Sequence, residues 1–231
     1  MELTFLGTGA GSTLGSKRFK SGLLVSSGTT KIVLDMGSGA NYRLEDLNAL
    51  DVQTLFVTHL HVDHFSGLLD HLVVRKLKGL PTLKVYSPPG LRSVLEAVKL
   101  AGNNVSAEVE EAELPKAKVG DLEVYSVKAC HSIHAVAYVV TDGRRRVLYS
   151  GDTTEPCETI LEEARDADLV VHEASCVTGC DSWGHTGVRE LLGLIPREKL
   201  VLTHIPSWLE AEIIEASVGA RVAHDGMRLN V

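Results

Sequence analysis

The chain has 231 residues, 44% hydrophobic and 23% charged, with a formal net charge of −7. This composition fits one soluble domain spanning residues 1–231, long enough to bury a sizeable core. No apolar run reaches the ~18 residues of a membrane span, the opening "MELTFLGTGAGS" lacks a signal-peptide pattern, and an acidic chain is a poor non-specific nucleic-acid binder; the expectation is a cytoplasmic protein with no membrane partner.

In chain order, "ELTFLG" (2–7) reads as a strand ending in glycine, and "GLLVSS", "GTT" and "KIVLD" (22–35) as a hairpin. The apolar run "VQTLFV" (52–57) reads as a buried strand, and "SGLLDHLVVRKLKG" (66–79) as a helix with a glycine stop. Next come a strand "LKVYS" (83–87), a helix "PPGLRSVLEAVKLAG" (88–102) opened by prolines, and a strand "LEVYSVKA" (122–129). "AVAYVVTDGRRRVLYSG" (135–151) reads as a hairpin around Asp142-Gly143. Helices "PCETILEEARDA" (156–167), "TGVRELLGLI" (186–195) and "SWLEAEIIEAS" (207–217) alternate with strands "DLVVHEA" (168–174) and "KLVLTH" (199–204). "ARVAHDGMRLNV" (220–231) closes the chain as another hairpin. Two β-rich stretches mixed with helices predict two sheets packed face to face with helices outside.

Cys130, Cys157, Cys176 and Cys180 read as reduced thiols, with a zinc knuckle at Cys176 and Cys180 as the alternative. The basic clusters Lys17-Arg18-x-Lys20, Arg75-Lys76-x-Lys78 and Arg144-Arg145-Arg146 read as solvated faces. Lys17 and Arg18 border the loop after the first strand, where a phosphate could bind.

The polar groups gather at strand ends. "THLHVDH", "CHSIH", "SGDT", "HEAS" and "LTH" each follow an apolar run, the place where a rigid scaffold presents chemistry. In "THLHVDH", His59 and His61 project the same way from an extended segment and can grip one ion, while Asp63 and His64 enter the next helix and reach a second position.

This His-x-His-x-Asp-His pattern resembles the signature of the metallo-β-lactamase fold superfamily. The likeness extends to Asp35 in "VLDMGSG", His131 in "KACHSIHAVAY", Asp152 in "LYSGDT" and His204 in "LVLTHIP". Within the superfamily the chain resembles ribonuclease Z, in "MELTFLGTGAG", in "YSGDTTEPCETILEEARDADLVVHEAS" and in "GHTGVREL", which carries His185. Two departures matter. Ribonuclease Z carries a glycine- and proline-rich tRNA-gripping arm between the middle histidine and the bridging aspartate, whereas "HSIHAVAYVVTDGRRRVLYSGD" leaves room for one hairpin only. "GSGANYR" also stands where that family has Gly-Glu-Gly-Thr-Gln.

The resemblance implies an α/β fold, a four-layer αββα sandwich of two mixed sheets. It implies two divalent metal ions, zinc first and manganese or iron as alternatives. His59, His61 and His131 would hold one, Asp63, His64 and His204 the other, with Asp152 shared. His185 becomes the candidate general acid, oriented by Glu173, with Asp63 also assisting catalysis. Helix capping is the plain alternative for His185. Asp35 would brace a ligand, and His134 rivals His131; His71, His172 and His224 read as structural. Trp183 and Trp208 would wall the pocket or pack at its rim. The function implied is a binuclear metal-dependent phosphodiesterase acting on a phosphate-ester small molecule or short nucleotide. The alternatives are a tRNA 3′-processing endoribonuclease (tRNA being disfavoured by the missing arm), a lactonase- or sulfatase-like hydrolase, and a non-catalytic metal-binding protein. A homodimer stays open.

Overall fold

The computed structural model describes residues 1–11 and 17–231. One sheet holds β1 (Glu2–Gly7), β2 (Gly22–Ser27), β3 (Thr30–Leu34), β4 (Thr54–Phe56), β5 (Leu83–Ser87), β6 (Ala107–Glu111) and β14 (Arg228–Asn230), in the order β14-β1-β2-β3-β4-β5-β6. The other holds β7 (Ala117–Val119), β8 (Leu122–Lys128), β9 (Val136–Thr141), β10 (Arg146–Tyr149), β11 (Leu169–Glu173), β12 (Leu200–Thr203) and β13 (Arg221–Val222), in the order β13-β12-β11-β10-β9-β8-β7. Each sheet is antiparallel at one side and parallel at the other: β3 to β6 and β10 to β13 run parallel.

Side-chain alternation along the strands sorts the apolar residues into three cores. Leu3, Phe5, Phe56, Val136, Tyr138 and Val140 lie between the sheets. Leu6, Val33, Leu55 and Val85 instead pack under α1 (Ala40–Asp46), α2 (Val62–Leu77) and α3 (Leu91–Leu100). Ala137, Val139, Val170 and Leu202 pack under α4 (Glu158–Asp166), α5 (Val188–Leu194) and α6 (Glu210–Ala216). Three cores separate four layers, the expected αββα sandwich. No helix of the described residues is long and apolar enough to cross a membrane.

Three expectations need correction. First, the final segment is not a hairpin: β13 pairs with β12 in one sheet and β14 pairs with β1 in the other. The Asp225-Gly226 turn carries the chain between sheets because Asp225 accepts hydrogen bonds from Thr8 and from the Phe19 amide, while the Gly226 amide binds the Phe5 carbonyl. Second, Arg75 is no solvated cation. It is buried, and its guanidinium donates to the carbonyls of Leu50, Val52 and Pro81. Third, the cysteines are paired, Cys130 with Cys157 and Cys176 with Cys180, with Cα atoms 5.8 and 6.2 Å apart. These disulfides replace both the reduced thiols and the zinc knuckle; such bonds belong to oxidising compartments and to intracellular proteins of hyperthermophiles.

The sequence reading also passed over α1, β6 and β7. The edge strand β6 reads "AEVEE": Glu108 and Glu110 lie 3.8 and 3.4 Å from Lys84, while Ala107 and Val109 pack against the core.

Candidate metal centre

Five chain segments at one rim of the sandwich build the site, and they come from both sheets. β4 runs out into an extended segment carrying His59 and His61. His61, at ψ 141°, is the N-cap of α2, which starts earlier than the apolar pattern predicts and carries Asp63 and His64 in its first turn. From the other sheet come His131 after β8, Asp152 after β10, Glu173 at the end of β11 and His204 after β12. Asp35 and His204 both sit at positive φ, 56° and 57°, a conformation that non-glycine residues adopt only where the surroundings impose it. Gly151, before Asp152, has φ +58°, and a Cβ there would lie 2.8 Å from Cβ of Thr58.

The structure brings the sequence-predicted ligands together as two sets. Donor atoms of His59, His61, His131 and Asp152 lie within 4.8 Å of one another, as do those of Asp63, His64, Asp152 and His204. Asp152 belongs to both. Its Oδ2 is 3.6 Å from His59 Nε2, whereas its Oδ1 is 3.1 Å from His64 Nε2 and 3.3 Å from His204 Nε2. His61 Nδ1 and His131 Nε2 converge to 3.1 Å.

In four of the five histidines the other ring nitrogen is tied down. His59 Nδ1 lies 3.0 Å from Thr58 Oγ1, His64 Nδ1 2.7 Å from Asp35 Oδ2, His131 Nδ1 2.7 Å from the Gly184 carbonyl, and His204 Nδ1 2.9 Å from Ser175 Oγ. Such partners fix tautomer and ring orientation for a metal ligand. Of the inward atoms, His204 Nε2 contacts Asp63 Oδ2 at 3.2 Å, whereas His59 Nε2 and Asp152 Oδ1 are buried without a hydrogen bond. Orphaned buried polar atoms need explanation, and a cation between them supplies one.

Electrostatics agrees. Burial and the neighbouring His64 drive His59 toward its neutral form, the form a metal ligand needs. Burial opposes ionisation of Asp152, yet His204 and His64 hold it well below the ordinary carboxylate range. Burial also disfavours a charged His64, but Asp152 and Asp35 on its two sides lift it well above the usual imidazole range. The centre thus attracts positive charge. The donor set of imidazoles and carboxylates fits zinc and related divalent ions.

Beside this centre, His185 Nδ1 lies 2.8 Å from Glu173 Oε1, which leaves Nε2 for the cleft. Burial disfavours its cation, but Glu173 and then Asp152 outweigh that and raise its pKa to about 9. Glu173 is itself fixed, accepting from the Thr153 amide at 3.0 Å and Ser175 Oγ at 2.6 Å. His185 stacks on His204 with ring centroids 5.3 Å apart.

Other candidates fall outside. His134 is exposed and binds the Glu113 carbonyl. His172 is buried against Glu155 at 3.2 Å, and His71 is buried in α2. Arg18 braces Thr8, the Ala223 carbonyl and Glu210 rather than facing the cleft, and Lys17 is exposed. Sequence reasoning missed the parts played by Thr58 and Ser175. Their signal was adjacency, since each shares a motif with a ligand or with Glu173. It also missed the Gly11 amide, which donates to Asp63 Oδ2 at 2.8 Å.

The family model described as Anti-Pycsar protein Apyc1 matches residues 1–216. The chain belongs to the Apyc1 family. Among curated relatives of this Apyc1 family member is a ribonuclease Z of Methanosarcina acetivorans, 27% identical over 90% of this chain and 88% of that protein. Its fold is that of the metallo-β-lactamase fold protein YhfI from Bacillus subtilis, with a TM-score of 0.83 at 21% identity over 99% of both chains. Human tRNase Z, short form, superimposes with a TM-score of 0.81 at 22% identity, over 100% of this chain and 99% of that one.

Proposed function

We propose that this Apyc1 family member is a binuclear metal-dependent phosphodiesterase acting on a small nucleotide-like ester. The observation that carries the reading is Asp152, whose two oxygens face two separate donor sets while one of them is buried without a hydrogen bond. His59, His61 and His131 would hold one divalent ion and Asp63, His64 and His204 the other. Two ions bound there would supply an activated water and neutralise charge on the phosphoryl group.

The chain's own residues do the rest. Asp63, fixed by the Gly11 amide, orients the attacking water by accepting a hydrogen bond. His185 is protonated at neutral pH because Glu173 holds it so, and it delivers its Nε2 proton to the leaving oxygen. Glu173 keeps the ring oriented through Nδ1. Ser175 links that carboxylate to His204, so one hydrogen-bonded chain sets the angles of both histidines.

Small substrates are favoured over tRNA for three reasons. The net charge is negative. The cleft, bordered by His61, Asp63, Asp152, His185 and His204, has a volume of about 280 Å³, at the small end for ligand sites. A short turn joins β9 and β10 where ribonuclease Z carries its arm. The test is a substrate panel on zinc- or manganese-loaded protein: bis-p-nitrophenyl phosphate, cyclic nucleotides, a precursor tRNA, lactones and aryl sulfates. Hydrolysis of bis-p-nitrophenyl phosphate and the cyclic nucleotides alone is expected. Preferential turnover of lactones or sulfates would overturn the reading, and specific cleavage of the precursor tRNA would replace it with the endonuclease one.

A further inference from the structure

Neither disulfide takes part in the hydrolytic chemistry, yet one of them joins two loops that do. Cys130 immediately precedes His131 in the loop after β8, and Cys157 lies five residues beyond Asp152, at the N-cap of α4. His131 and Asp152 belong to the same donor set. The bond is therefore a covalent tie between two ligands that come from different strands. Two hydrogen bonds run beside it. The Cys130 amide donates to Thr153 Oγ1 at 3.2 Å, and the Cys130 carbonyl accepts from the Thr154 amide at 2.7 Å.

The two disulfides differ in what solvent reaches. Cys176 and Cys180 are both buried, whereas Cys130 is exposed and only its partner Cys157 is buried. An attacking thiolate therefore meets Cys130 first. The sulfur it would displace, on Cys157, sits at the N-terminus of the nine-residue helix α4, with Thr159 Oγ1 3.6 Å away. A helix N-terminus stabilises a thiolate, and a stabilised thiolate leaves faster. Disulfide exchange requires an accessible sulfur to attack and a supported sulfur to leave, and this pair supplies both.

We propose that Cys130–Cys157 is a thiol–disulfide exchange site, opened by a dithiol reductant, and that opening it loosens the hold of His59, His61, His131 and Asp152 on their ion. The inference rests on the binuclear reading and adds a control to it. One thiolate of the reductant attacks Cys130 Sγ and forms a mixed disulfide, while the Cys157 sulfur leaves with the electron pair of the broken bond. The reductant's second sulfur then displaces Cys130 and closes its own disulfide. Two electrons pass to the cysteines, and the two protons given up by the reductant's thiols end on theirs. The covalent tie between the His131 and Asp152 loops is then gone, and their spacing is left to hydrogen bonds.

The test uses manganese, because thiolates prefer softer ions. Protein is reduced with dithiothreitol for increasing times and freed of reductant by gel filtration under argon. One portion is alkylated with iodoacetamide and mapped by mass spectrometry; the other is titrated with manganese against a chelating dye. Cys130 and Cys157 should be labelled before Cys176 and Cys180. The reduced protein should bind one of its two manganese equivalents about tenfold more weakly, the scale of losing a ligand's support, and reoxidation should restore the affinity. Cys130→Ser with Cys157→Ser should bind like the reduced parent whether or not reductant is added. Cys176→Ser with Cys180→Ser should still respond. Earlier labelling of Cys176 and Cys180, or equal manganese binding by the two redox states of the parent, would overturn the proposal. Oxidised protein that takes up two equivalents but ignores the reductant removes the switch alone. Oxidised protein that takes up at most one removes the binuclear reading, and the labelling order then still decides whether the exchange site stands.

Discussion

Asp35 Oδ2 lies 2.7 Å from Nδ1 of His64, the shortest contact made by any histidine of the second donor set, and also accepts from Tyr149 at 3.1 Å. Asp35 therefore stands behind His64, fixing which nitrogen faces Asp152. Asp35→Ala should lower metal affinity by roughly 10–100-fold, the usual effect of losing such a partner. Competition against a chelating dye measures it; unchanged affinity would mean that the ring is oriented by packing alone.

Two equivalents of divalent metal per chain are expected under saturating zinc or manganese. Asp152→Ala should lose both, since it alone belongs to both donor sets. Elemental analysis after gel filtration decides this, and a variant that keeps one full equivalent would show the sets to be independent.

His185→Ala should keep its metal content, because both four-residue donor sets are complete without it. Turnover should fall by roughly 10²–10⁴, the range for losing a positioned acid. The loss should be greatest for an alkoxide leaving group and least for nitrophenolate, which departs unprotonated. Equal losses on both esters would make His185 a phosphate-positioning residue.

His71 gives a stability signature remote from the catalytic chemistry. Burial, aided by the nearby Arg75, depresses its pKa to about 4, from about 6.5 when unfolded. Folding therefore favours the neutral ring. The contribution is complete above pH ~6.5 and is lost as pH falls toward 4, amounting to roughly 3 kcal/mol at the acid end. Urea unfolding of His71→Gln across this range should show a shallower acid slope than the parent. Parallel slopes would assign the acid sensitivity elsewhere.

The Cys130–Cys157 bond joins the residue before His131 to the N-cap of α4, 27 positions on. Loop closure of that length stabilises by roughly 3–4 kcal/mol in the chain-entropy account. Cys130→Ser with Cys157→Ser should lower the melting temperature measurably. A melting curve identical to that of the oxidised parent would show that this pair adds no stability.

The sequence made the candidate donors legible in two ways: His59, His61, Asp63 and His64 by residue type and spacing in one short motif, and His131, Asp152 and His204 by resemblance to a known superfamily; the fold brings all seven together. Asp35 was readable as a brace through the same resemblance, and it lies 2.7 Å from His64 Nδ1. Thr58 and Ser175 were not, since a hydroxyl in a motif says nothing about which ring it will face. The four cysteines offered no pattern that separates a thiol from a disulfide. Arg18 and Arg75 look like surface cations until the fold brings carbonyls and carboxylates around them. The last segment looks like a hairpin locally, because the acceptor that decides its path, Asp225, binds groups near the other end of the chain.

That crossing segment also sets an order of events during synthesis. Glu2, Leu3 and Thr4 of β1 pair with Asn230, Leu229 and Arg228 of β14, so the outer edge of β1 stays open until β14 has been made. An open edge is a template for pairing with another chain, and distant pairings close slowly. Nascent chains crowded on one message therefore meet with β1 uncapped, and a chain cut before Arg228 would leave every released molecule in that condition.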